Sequence, residues 1–395
     1  MKLLLKTLTP VHIGNGEKYN GLSYVEDIFA NPKKVFIVEF DRIKKILNKR
    51  ELESFTNWVV SEDYPSWFKY CKFALNKPQI QNEFKKTALY TLNNYSAEKY
   101  LRDIDCFIKQ NNKPYIPGTE IKGAIRTAVA YHLLQNEGHW KYFKKELEKF
   151  GNNYRKELQQ IPGQKGRWVN DVKKKLTNEM GKIEEELQTR LFRAENNNDA
   201  KFDLLKLLSI GDTELKDPNI CLVISNLTVE GISRTFQIFQ ELCKANTSFT
   251  CQGFRLENNT TIINKLGFSP EQMWVISDIK NILQCCCDFT NRLLQEEIDF
   301  FKRINKPEIV AKLQNIQKQN TPDSPVIRIG KNEGYFSLTM GLLVKDRDKV
   351  LYDNVLCHAT KNTSYTGNFP KTRRIVNVSN NEQDTLGWVK LIIHE

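Results

Sequence analysis

Residues 115–134 read YIPGTEIKGAIRTAVAYHLL, and they join a strand-like segment to a helix through a Pro-Gly turn. After the turn, mainly apolar residues recur at intervals of three and four, which is the period of a helix packed on one face. The stripe consists of Ile121, Ile125, Ala128, Val129, His132 and Leu133. The stretch therefore predicts a strand, turn and helix unit of a layered α+β fold.

The start of this predicted helix carries residues that suit an anion. Thr119 is the expected N-cap, and the free N–H groups of a helix start attract negative charge. Lys122 and Arg126 are four residues apart, so they share a helix face beside that start. Gly118 completes the turn that precedes them. We interpret residues 117–126, called loop 2 below, as a polyanion site; the alternative is that the two cations cover a solvated face.

The rest of the chain divides into three sections. Residues 1–137 contain short apolar strand patterns and the helix just described, whereas residues 138–206 are polar and charged, as is typical of a solvated helix pair. Residues 207–395 return to strand patterns and include a helical segment at 270–320, which we predict to be one long helix after Pro270 followed by a short one. This order predicts an α+β protein in which a helical insertion separates two ferredoxin-like (RRM-like) domains.

The charge balance permits several partners. The chain has 395 residues and a formal net charge of +12, from 59 Lys and Arg against 47 Asp and Glu. That charge fits nucleic acid, an anionic membrane surface or no specific partner, so the motifs have to decide. No stretch reaches the ~18 continuous apolar residues of a membrane span, and the N-terminus lacks signal-peptide features. We expect a cytoplasmic protein without a membrane partner.

The nine cysteines predict neither disulfides nor a metal centre. Their number is odd, none lie at C-x-x-C spacing, and a chain of this length does not need disulfide staples. Cys285, Cys286 and Cys287 would point about 100° apart on a helix, so they cannot close one tetrahedral site. They are predicted to be small buried apolar residues, and the sequence predicts no metal and no cofactor.

Two further glycine-bearing loops follow predicted strands. Loop 1 spans residues 9–21 (TPVHIGNGEKYNG); its glycines let a nucleic-acid backbone approach the main chain, and the alternative is a plain glycine-rich hairpin. Loop 3 spans residues 327–336 (IRIGKNEGYF) and is not a Walker A loop, because no Gly-Lys-Ser/Thr follows. The predicted contact residues of these two loops are His12, Gly14, Gly16, Lys18, Arg328, Gly330, Lys331 and Gly334.

A basic segment near the C-terminus, residues 369–374 (FPKTRR), places three cations beside an aromatic ring. Lys371, Arg373 and Arg374 are predicted to hold phosphates, and Phe369 is available to stack on a base. The alternative is an exposed basic turn without a ligand.

The four segments occur in the order of the motifs of RAMP proteins, and the chain resembles that family over nearly its full length. The motifs are HIGNG, PGTEIKGAIR, IRIGKNEGYF and FPKTRR followed by LGWVKL. The resemblance is poorest over residues 138–205. Within the family, the chain length and the charged insertion are most similar to the fifth subunit of type III-A CRISPR (Csm) complexes.

The resemblance implies RRM-like domains that bind RNA through the glycine-rich loops, in a structural and not an enzymatic subunit. It implies a position at the crRNA 3′ end, with roles in crRNA maturation and complex assembly in antiviral defence. The expected partners are the crRNA 3′ region and the neighbouring Csm backbone and small subunits, while target RNA and a host ribonuclease are left open. The residues that match the family motifs are His12, Gly14, Gly16, Gly118, Lys122, Arg126, Arg328, Gly330 and Gly334.

One departure from the family pattern and two alternative functions stay open. Glu333 in loop 3 would repel a phosphate unless it faces outward. Some RAMP proteins cleave RNA without a metal, and His12 is the well-placed histidine for processing a crRNA precursor as general acid or base. A protein-interaction scaffold built on the helices of residues 270–320 is the other alternative, although their apolar residues are equally typical of a core.

Overall fold

A computed structural model describes residues 1–159, 167–194, 199–231, 238–257, 260–360, 369–379 and 382–394. Its strands are β1 (Lys2–Thr7), β2 (Gly14–Tyr19), β3 (Tyr24–Asp27), β4 (Lys33–Ile37), β5 (Tyr90–Asn94), β6 (Ile104–Phe107), β7 (Lys109–Gln110), β8 (Lys113–Pro114), β9 (Leu208–Ser209), β10 (Leu222–Glu230), β11 (Ile238–Cys243), β12 (Ser248–Cys251), β13 (Arg255–Leu256), β14 (Val326–Arg328), β15 (Arg373–Ser379), β16 (Glu382–Asp384) and β17 (Trp388–His394).

The helices are numbered in the same way. They are α1 (Phe40–Ile43), α2 (Lys49–Ser61), α3 (Trp67–Lys69), α4 (Ile80–Lys86), α5 (Gly118–Leu133), α6 (Glu137–Gln159), α7 (Arg167–Phe192), α8 (Pro218–Cys221), α9 (Thr260–Lys265), α10 (Pro270–Ser277), α11 (Ile279–Arg303), α12 (Pro307–Gln319), α13 (Tyr335–Leu338), α14 (Gly341–Arg347) and α15 (Lys349–Thr360). A π-helical turn, Tyr70–Ala74, continues α3, and two 3-10 turns, Ala200–Phe202 and Leu204–Leu207, precede β9.

The first and last strands of the chain are neighbours in a four-stranded antiparallel sheet. Its order is β12, β1, β17, β14. β1 pairs with β17 from Lys2 opposite His394 to Thr7 opposite Val389. Leu3 and Leu5 alternate with more exposed residues and are fully buried, as period-two patterning requires of a strand with one core face.

The larger sheet combines strands from both halves of the sequence. Its order is β2, β6, β11, β10, β5, β4, β3, with β15 beside the second half of β10 and β16 beside β15. β5 lies parallel to β10, and β6 lies parallel to β11. Both sheets therefore contain strands that precede residue 137 together with strands that follow residue 206.

Helices α5 and α11 pack against each other in the main core. The predicted stripe of α5 is buried at Ile121, Ile125, Ala128, Val129 and Leu133. His132 lies at the edge of the stripe and stacks on Trp274 with ring centroids 4.8 Å apart. In α11, the residues Cys285, Cys286 and Cys287 are all buried, which confirms that they are small core residues.

The predicted helical segments are confirmed with one correction. α6 and α7 form the helix pair predicted within residues 138–206, and they contact each other along their length. The sequence pattern treats the stretch after Pro270 as one long helix, but the structure breaks it at Asp278. Asp278 has extended dihedral angles and its carboxylate accepts a hydrogen bond from the N–H of Lys280, so it ends α10 and caps α11.

A second, smaller core lies under helices α2 to α4. Its largest members, Trp67, Tyr70 and Phe84, are fully buried. Trp67 donates its Nε1–H to the carbonyl of Leu22 at 2.7 Å, and the Tyr70 hydroxyl donates to the carbonyl of Glu51 at 2.5 Å. The polar ends of both rings are therefore satisfied, and the short helices are held firmly on β3 and β4.

The predicted α+β class is confirmed. Among the described residues, no helix combines the length and apolarity needed to cross a lipid bilayer. The same residues contain no group of three or more His, Cys, Asp and Glu side chains arranged to hold a metal ion. The boundaries at 137/138 and 206/207 stay predictions, and the mixing of strands in both sheets supplies a direct way to test them.

Fragments 1–206 and 207–395, expressed separately, are expected to lack a cooperative thermal transition. Without its partner fragment, β1 loses both β17 and β12, and β10 and β11 lose the parallel strands β5 and β6. Circular dichroism melts of each fragment and of the co-expressed pair are the measurement, and the pair is expected to co-purify. A cooperative melt of fragment 207–395 alone would instead establish it as an independent domain.

Candidate nucleic-acid interface

Loops 1, 2 and 3 contact one another although they are far apart in sequence. The N–H of Lys331 donates to the carbonyl of His12 at 2.8 Å, which joins loop 3 to loop 1. Gly330 has φ of +89°, and a Cβ there would lie 2.4 Å from the His12 oxygen, so only glycine permits this approach. Burial raises the pKa of Glu120 and the nearby main chain of Gly330 lowers it, so loop 3 lies beside loop 2.

Half of loop 1 is an edge strand. β2 begins at Gly14 and lies at the end of the larger sheet, beside β6, with a shift of register between Gly14 and Lys18. Residues 14–18 are exposed, and Gly16 has φ of +87° with no described heavy atom within 4 Å of a Cβ position. A bulged edge of this kind leaves main-chain groups open to a ligand.

The carboxylate of Asp105 on β6 is the centre of a polar network beside these loops. It lies 2.8 Å from Nζ of Lys331 and 3.4 Å from Nζ of Lys18, and it accepts a hydrogen bond from Gln240 Nε2 at 3.1 Å. Burial alone would raise the pKa of Asp105, but the hydrogen bonds from Lys331 and Gln240 outweigh it and hold the pKa below its ordinary value. The carboxylate therefore stays charged and orients both lysines.

The network continues to the basic segment. Asn332 donates to Oε1 of Gln240 at 2.9 Å, and its own side-chain oxygen accepts a hydrogen bond from Nη1 of Arg374. Lys18, Lys331 and Arg374 are exposed, the two lysine side chains by 59% and 55%. We call these three residues the cationic row. Because the two lysines share one carboxylate, that of Asp105, the row keeps an excess of positive charge at the surface.

His12 lies beneath this surface and does not belong to it. Its ring is 1% exposed, and Nδ1 lies 2.7 Å from the carbonyl oxygen of Glu241, to which it donates. Burial lowers the pKa of His12 to about 4, so the ring is neutral at pH 7. In this arrangement His12 positions loop 1 through the main chain of β11, and its side chain does not reach a bound phosphate.

The helix start in loop 2 is already occupied by a carboxylate. The N–H of Gly118 donates to Oδ1 of Asp212 at 2.8 Å, and a Cβ at Gly118 would lie 2.3 Å from the carbonyl oxygen of Ile210. Thr119 is exposed but is not the N-cap, since α5 is preceded by Pro117 without a side-chain cap. The predicted capping role is therefore wrong, and an internal anion satisfies the charge preference of this helix start.

Lys122 and Arg126 also have partners within the chain. Lys122 donates to the carbonyl of Leu208 at 2.7 Å. Arg126 makes two hydrogen bonds to the carboxylate of Asp203, at 3.1 and 2.8 Å, and its guanidinium lies 3.8 Å from the ring centroid of Phe192. The pair therefore holds α5 to the end of the helical insertion, and its contact with RNA stays a prediction.

Two of the predicted arginines are buried around one carboxylate. The side chains of Arg328 and Arg373 are 3% and 5% exposed, and both form ion pairs with Glu297 of α11. Arg328 also donates to the carbonyl of Leu386 at 2.9 Å and lies over the ring of Trp388. Neither arginine faces solvent, and contact of either with RNA stays a prediction.

The remaining predicted residues divide between surface and interior. Lys371 is exposed, and Gly334 has φ of +91°, which allows loop 3 to turn into α13. Glu333 does not face outward, because it is only 9% exposed. Burial raises its pKa to about 8, and the Arg328 guanidinium acts in the opposite direction. Glu333 is therefore mostly protonated at pH 7, and the expected repulsion of a phosphate is weak.

The sequence reasoning missed the residues that orient the cations. Asp105, Gln240 and Asn332 build the surface network, while Asp212 and Glu297 fill the places predicted for phosphate. Their spacing along the chain carries no signal, because each pairs with residues from a distant segment. The alternation of β15 is the one available clue, since adjacent strand residues such as Arg373 and Arg374 must face opposite sides.

The family model of the RAMP superfamily matches residues 4–314. The chain belongs to the RAMP superfamily. It also resembles proteins called Csm5. The "CRISPR system Cms protein Csm5" of Streptococcus thermophilus is 31% identical over 135 residues, which cover 32% of this chain and 37% of that relative. The protein of the same name from Methanocaldococcus jannaschii is 23% identical over 438 aligned residues, covering 100% of this chain and 89% of the relative.

Two solved structures share the fold. A chain of a type III-A Csm–crRNA–target RNA ternary complex superposes with a TM-score of 0.68 at 19% identity, covering 99% of this chain and 100% of that chain. Csm5 of T. onnurineus superposes with a TM-score of 0.67 at 19% identity, covering 98% and 99%. The α+β RAMP fold is therefore present over nearly the whole chain.

Replacing Glu297 with Gln is expected to destabilise the protein by about 3–5 kcal/mol, because two buried guanidinium groups lose their countercharge while the side-chain shape is kept. Asp346→Asn is the matched control, because it weakens a half-exposed pair with Arg292 and is expected to cost under ~1 kcal/mol. Denaturant unfolding measures both variants, and equal losses would contradict the buried pairing.

Glu333→Gln is expected to raise the thermal midpoint by a few degrees more at pH 8 than at pH 5. The pKa of Glu333 falls from about 8 to its ordinary 4.5 on unfolding, so between these pH values the folded chain binds more protons and loses stability as the pH rises. Glutamine removes that loss. Thermal melts at both pH values are the measurement, with Glu83→Gln as the exposed control; the same shift at both pH values would contradict a raised pKa.

Proposed function

We propose that this chain is the Csm5-type RNA-binding subunit of a type III-A CRISPR (Csm) complex, and that it binds the 3′ region of the crRNA. The observation that carries RNA binding is the cationic row, in which a strand edge, a glycine-rich loop and a basic segment from three distant parts of the chain meet. The assignment to a Csm complex rests on the likeness to Csm5 proteins along the chain.

The cationic row suits a phosphate backbone for electrostatic and steric reasons. Lys18 and Lys331 both contact the carboxylate of Asp105, which fixes their ammonium groups while both side chains stay more than half exposed. Arg374 adds a planar donor group to the same network through Asn332. The open bulge at Gly16 lets a ribose-phosphate backbone approach main-chain N–H groups directly.

We propose binding without cleavage for the same surface. General acid or base catalysis needs a group with a pKa near the working pH, placed beside the reacting hydroxyl. His12 has a pKa of about 4 and is buried within loop 1, so it meets neither condition. A purified chain is therefore expected to leave a crRNA precursor intact, and cleavage that is abolished in His12→Ala would overturn this part of the proposal.

We propose that the chain lies at the crRNA 3′ end, where it contacts other subunits of the complex. The expected neighbours there are a Csm backbone subunit and the small subunits, and a host ribonuclease is the candidate partner during maturation. Target RNA is a further partner, because the similar chain in the solved complex comes from an assembly with both crRNA and target RNA.

The triple variant K18A/K331A/R374A is expected to weaken binding of single-stranded crRNA by tenfold or more, and to reduce the salt slope of log K by about 2, since each lost phosphate contact contributes about 0.7. The control K86A/K175A/K349A removes three equally exposed cations that also lie near carboxylates. Fluorescence anisotropy across a salt series is the measurement. An unchanged slope in the first variant, or equal changes in both, would contradict the cationic row as the contact.

A reconstituted Csm complex distinguishes the 3′ position from general RNA affinity. Nuclease footprinting is expected to lose protection of the crRNA 3′ region when the triple variant replaces the natural chain, with the 5′ region unaffected. Loss of protection at the 5′ end, or uniform loss, would place this subunit elsewhere on the RNA.

A further inference from the structure

A surface formed by α3, its π-helical turn and the connection between β5 and β6 combines three aromatic rings with two lysines. Phe68 lies between Phe73 and Tyr100, with ring centroids 6.3 and 5.5 Å away. Phe73 is 68% exposed and Tyr100 is 45% exposed. Nζ of Lys72 lies 5.4 and 5.2 Å from the centroids of Phe68 and Phe73, and Nζ of Lys99 lies 5.4 Å from that of Tyr100. We call these five residues the aromatic patch.

A π-helical turn creates the patch. On a regular α-helix, residues five apart point about 140° away from each other, so Phe68 and Phe73 would lie on different faces. Here the N–H of Leu75 donates to the carbonyl of Tyr70 at 2.8 Å, which is the wider spacing of a π-helix. The extra residue in the turn brings the two rings to one face. Turns of this kind are rare and occur frequently at functional sites.

The patch lies directly on residues of the second core. Its helical members are interspersed along the chain with Trp67, Tyr70 and Cys71, which are fully buried in the second core. The N–H of Trp67 donates to the carbonyl of Gly21 at 3.2 Å, so the patch adjoins the end of loop 1. The exposed rings are therefore held in place by neighbours that the core requires.

The charges of the patch identify its ligand class. Among the described residues, neither Lys72 nor Lys99 has a carboxylate within ion-pair distance, unlike Lys18 and Lys331 in the cationic row. A cluster of partly exposed rings with unneutralised ammonium groups over them suits single-stranded nucleic acid, since bases stack on aromatic rings and lysines contact phosphates. A duplex hides the base faces and fits the patch poorly.

We propose that the aromatic patch is a second binding surface for single-stranded RNA, with bases stacked on Phe68, Phe73 and Tyr100 and phosphates at Lys72 and Lys99. It extends RNA binding beyond the cationic row and the crRNA assignment, because neither its rings nor its lysines belong to that network.

The test is the affinity of the full-length chain for a labelled oligouridylate, measured by fluorescence anisotropy. F73A/Y100A is expected to weaken binding by roughly tenfold or more, since each stacked base contributes about 1–3 kcal/mol, or up to about a hundredfold in affinity. F73W/Y100F keeps the ring faces and is expected to bind as the natural chain does. F29A removes a phenyl ring that is 93% exposed and does not belong to the patch, and it is expected to leave the affinity unchanged. Thermal melts check that each variant is folded.

Photo-cross-linking separates this proposal from the cationic row. Cross-links to peptides that contain Phe73 and Tyr100 are expected to persist in K18A/K331A/R374A, and to disappear in F73A/Y100A. The proposal is overturned if F73A/Y100A binds the oligouridylate within twofold of the natural chain, or if cross-links map only to the cationic row. It is equally overturned if the variant keeps its RNA affinity but fails to join the Csm complex, because the patch would then be a protein-docking surface.

Discussion

The carboxylate of Glu297, buried on α11, lies between the guanidinium groups of Arg328 and Arg373. Arg328 ends β14 and leads into loop 3, while Arg373 begins β15 in the basic segment. One carboxylate therefore fixes two segments of the surface relative to the core. A buried ion pair of this kind is costly to desolvate and adds little net stability, but breaking it leaves an uncompensated charge, so it enforces one geometry.

That geometry determines which cations reach solvent. Because strand residues alternate, burying Arg373 beside Glu297 turns Arg374 to the opposite side, where it meets Asn332 of loop 3. Gly330, held against the carbonyl of His12, places the neighbouring Lys331 on Asp105. Two members of the row, Lys331 and Arg374, are thus each positioned by a buried contact one residue away.

The sequence predicted the fold class, the buried stripe of α5, the core cysteines and the presence of the helix pair, because all of these follow from local periodicity. It also located the loops that meet in the structure. The sequence did not show which residues of these loops are exposed and which are buried. The partners that decide this, Asp203, Asp212 and Glu297, lie 77, 94 and 76 residues away from the residues they bind. Nothing in local spacing distinguishes Arg328, which is buried, from Lys331, which is exposed.

Loop 2 illustrates why a phosphate-binding pattern and a structural pattern look alike. A helix start preceded by Pro-Gly, with cations one turn later, attracts any carboxylate or phosphate. Here Asp212 occupies the helix start and Asp203 holds Arg126, so the chain supplies its own anions. The same chemistry at the cationic row is left only partly satisfied, because Asp105 is shared between two lysines. What marks the ligand surface is therefore the incomplete neutralisation of its cations, which becomes visible only when the distant carboxylates are placed.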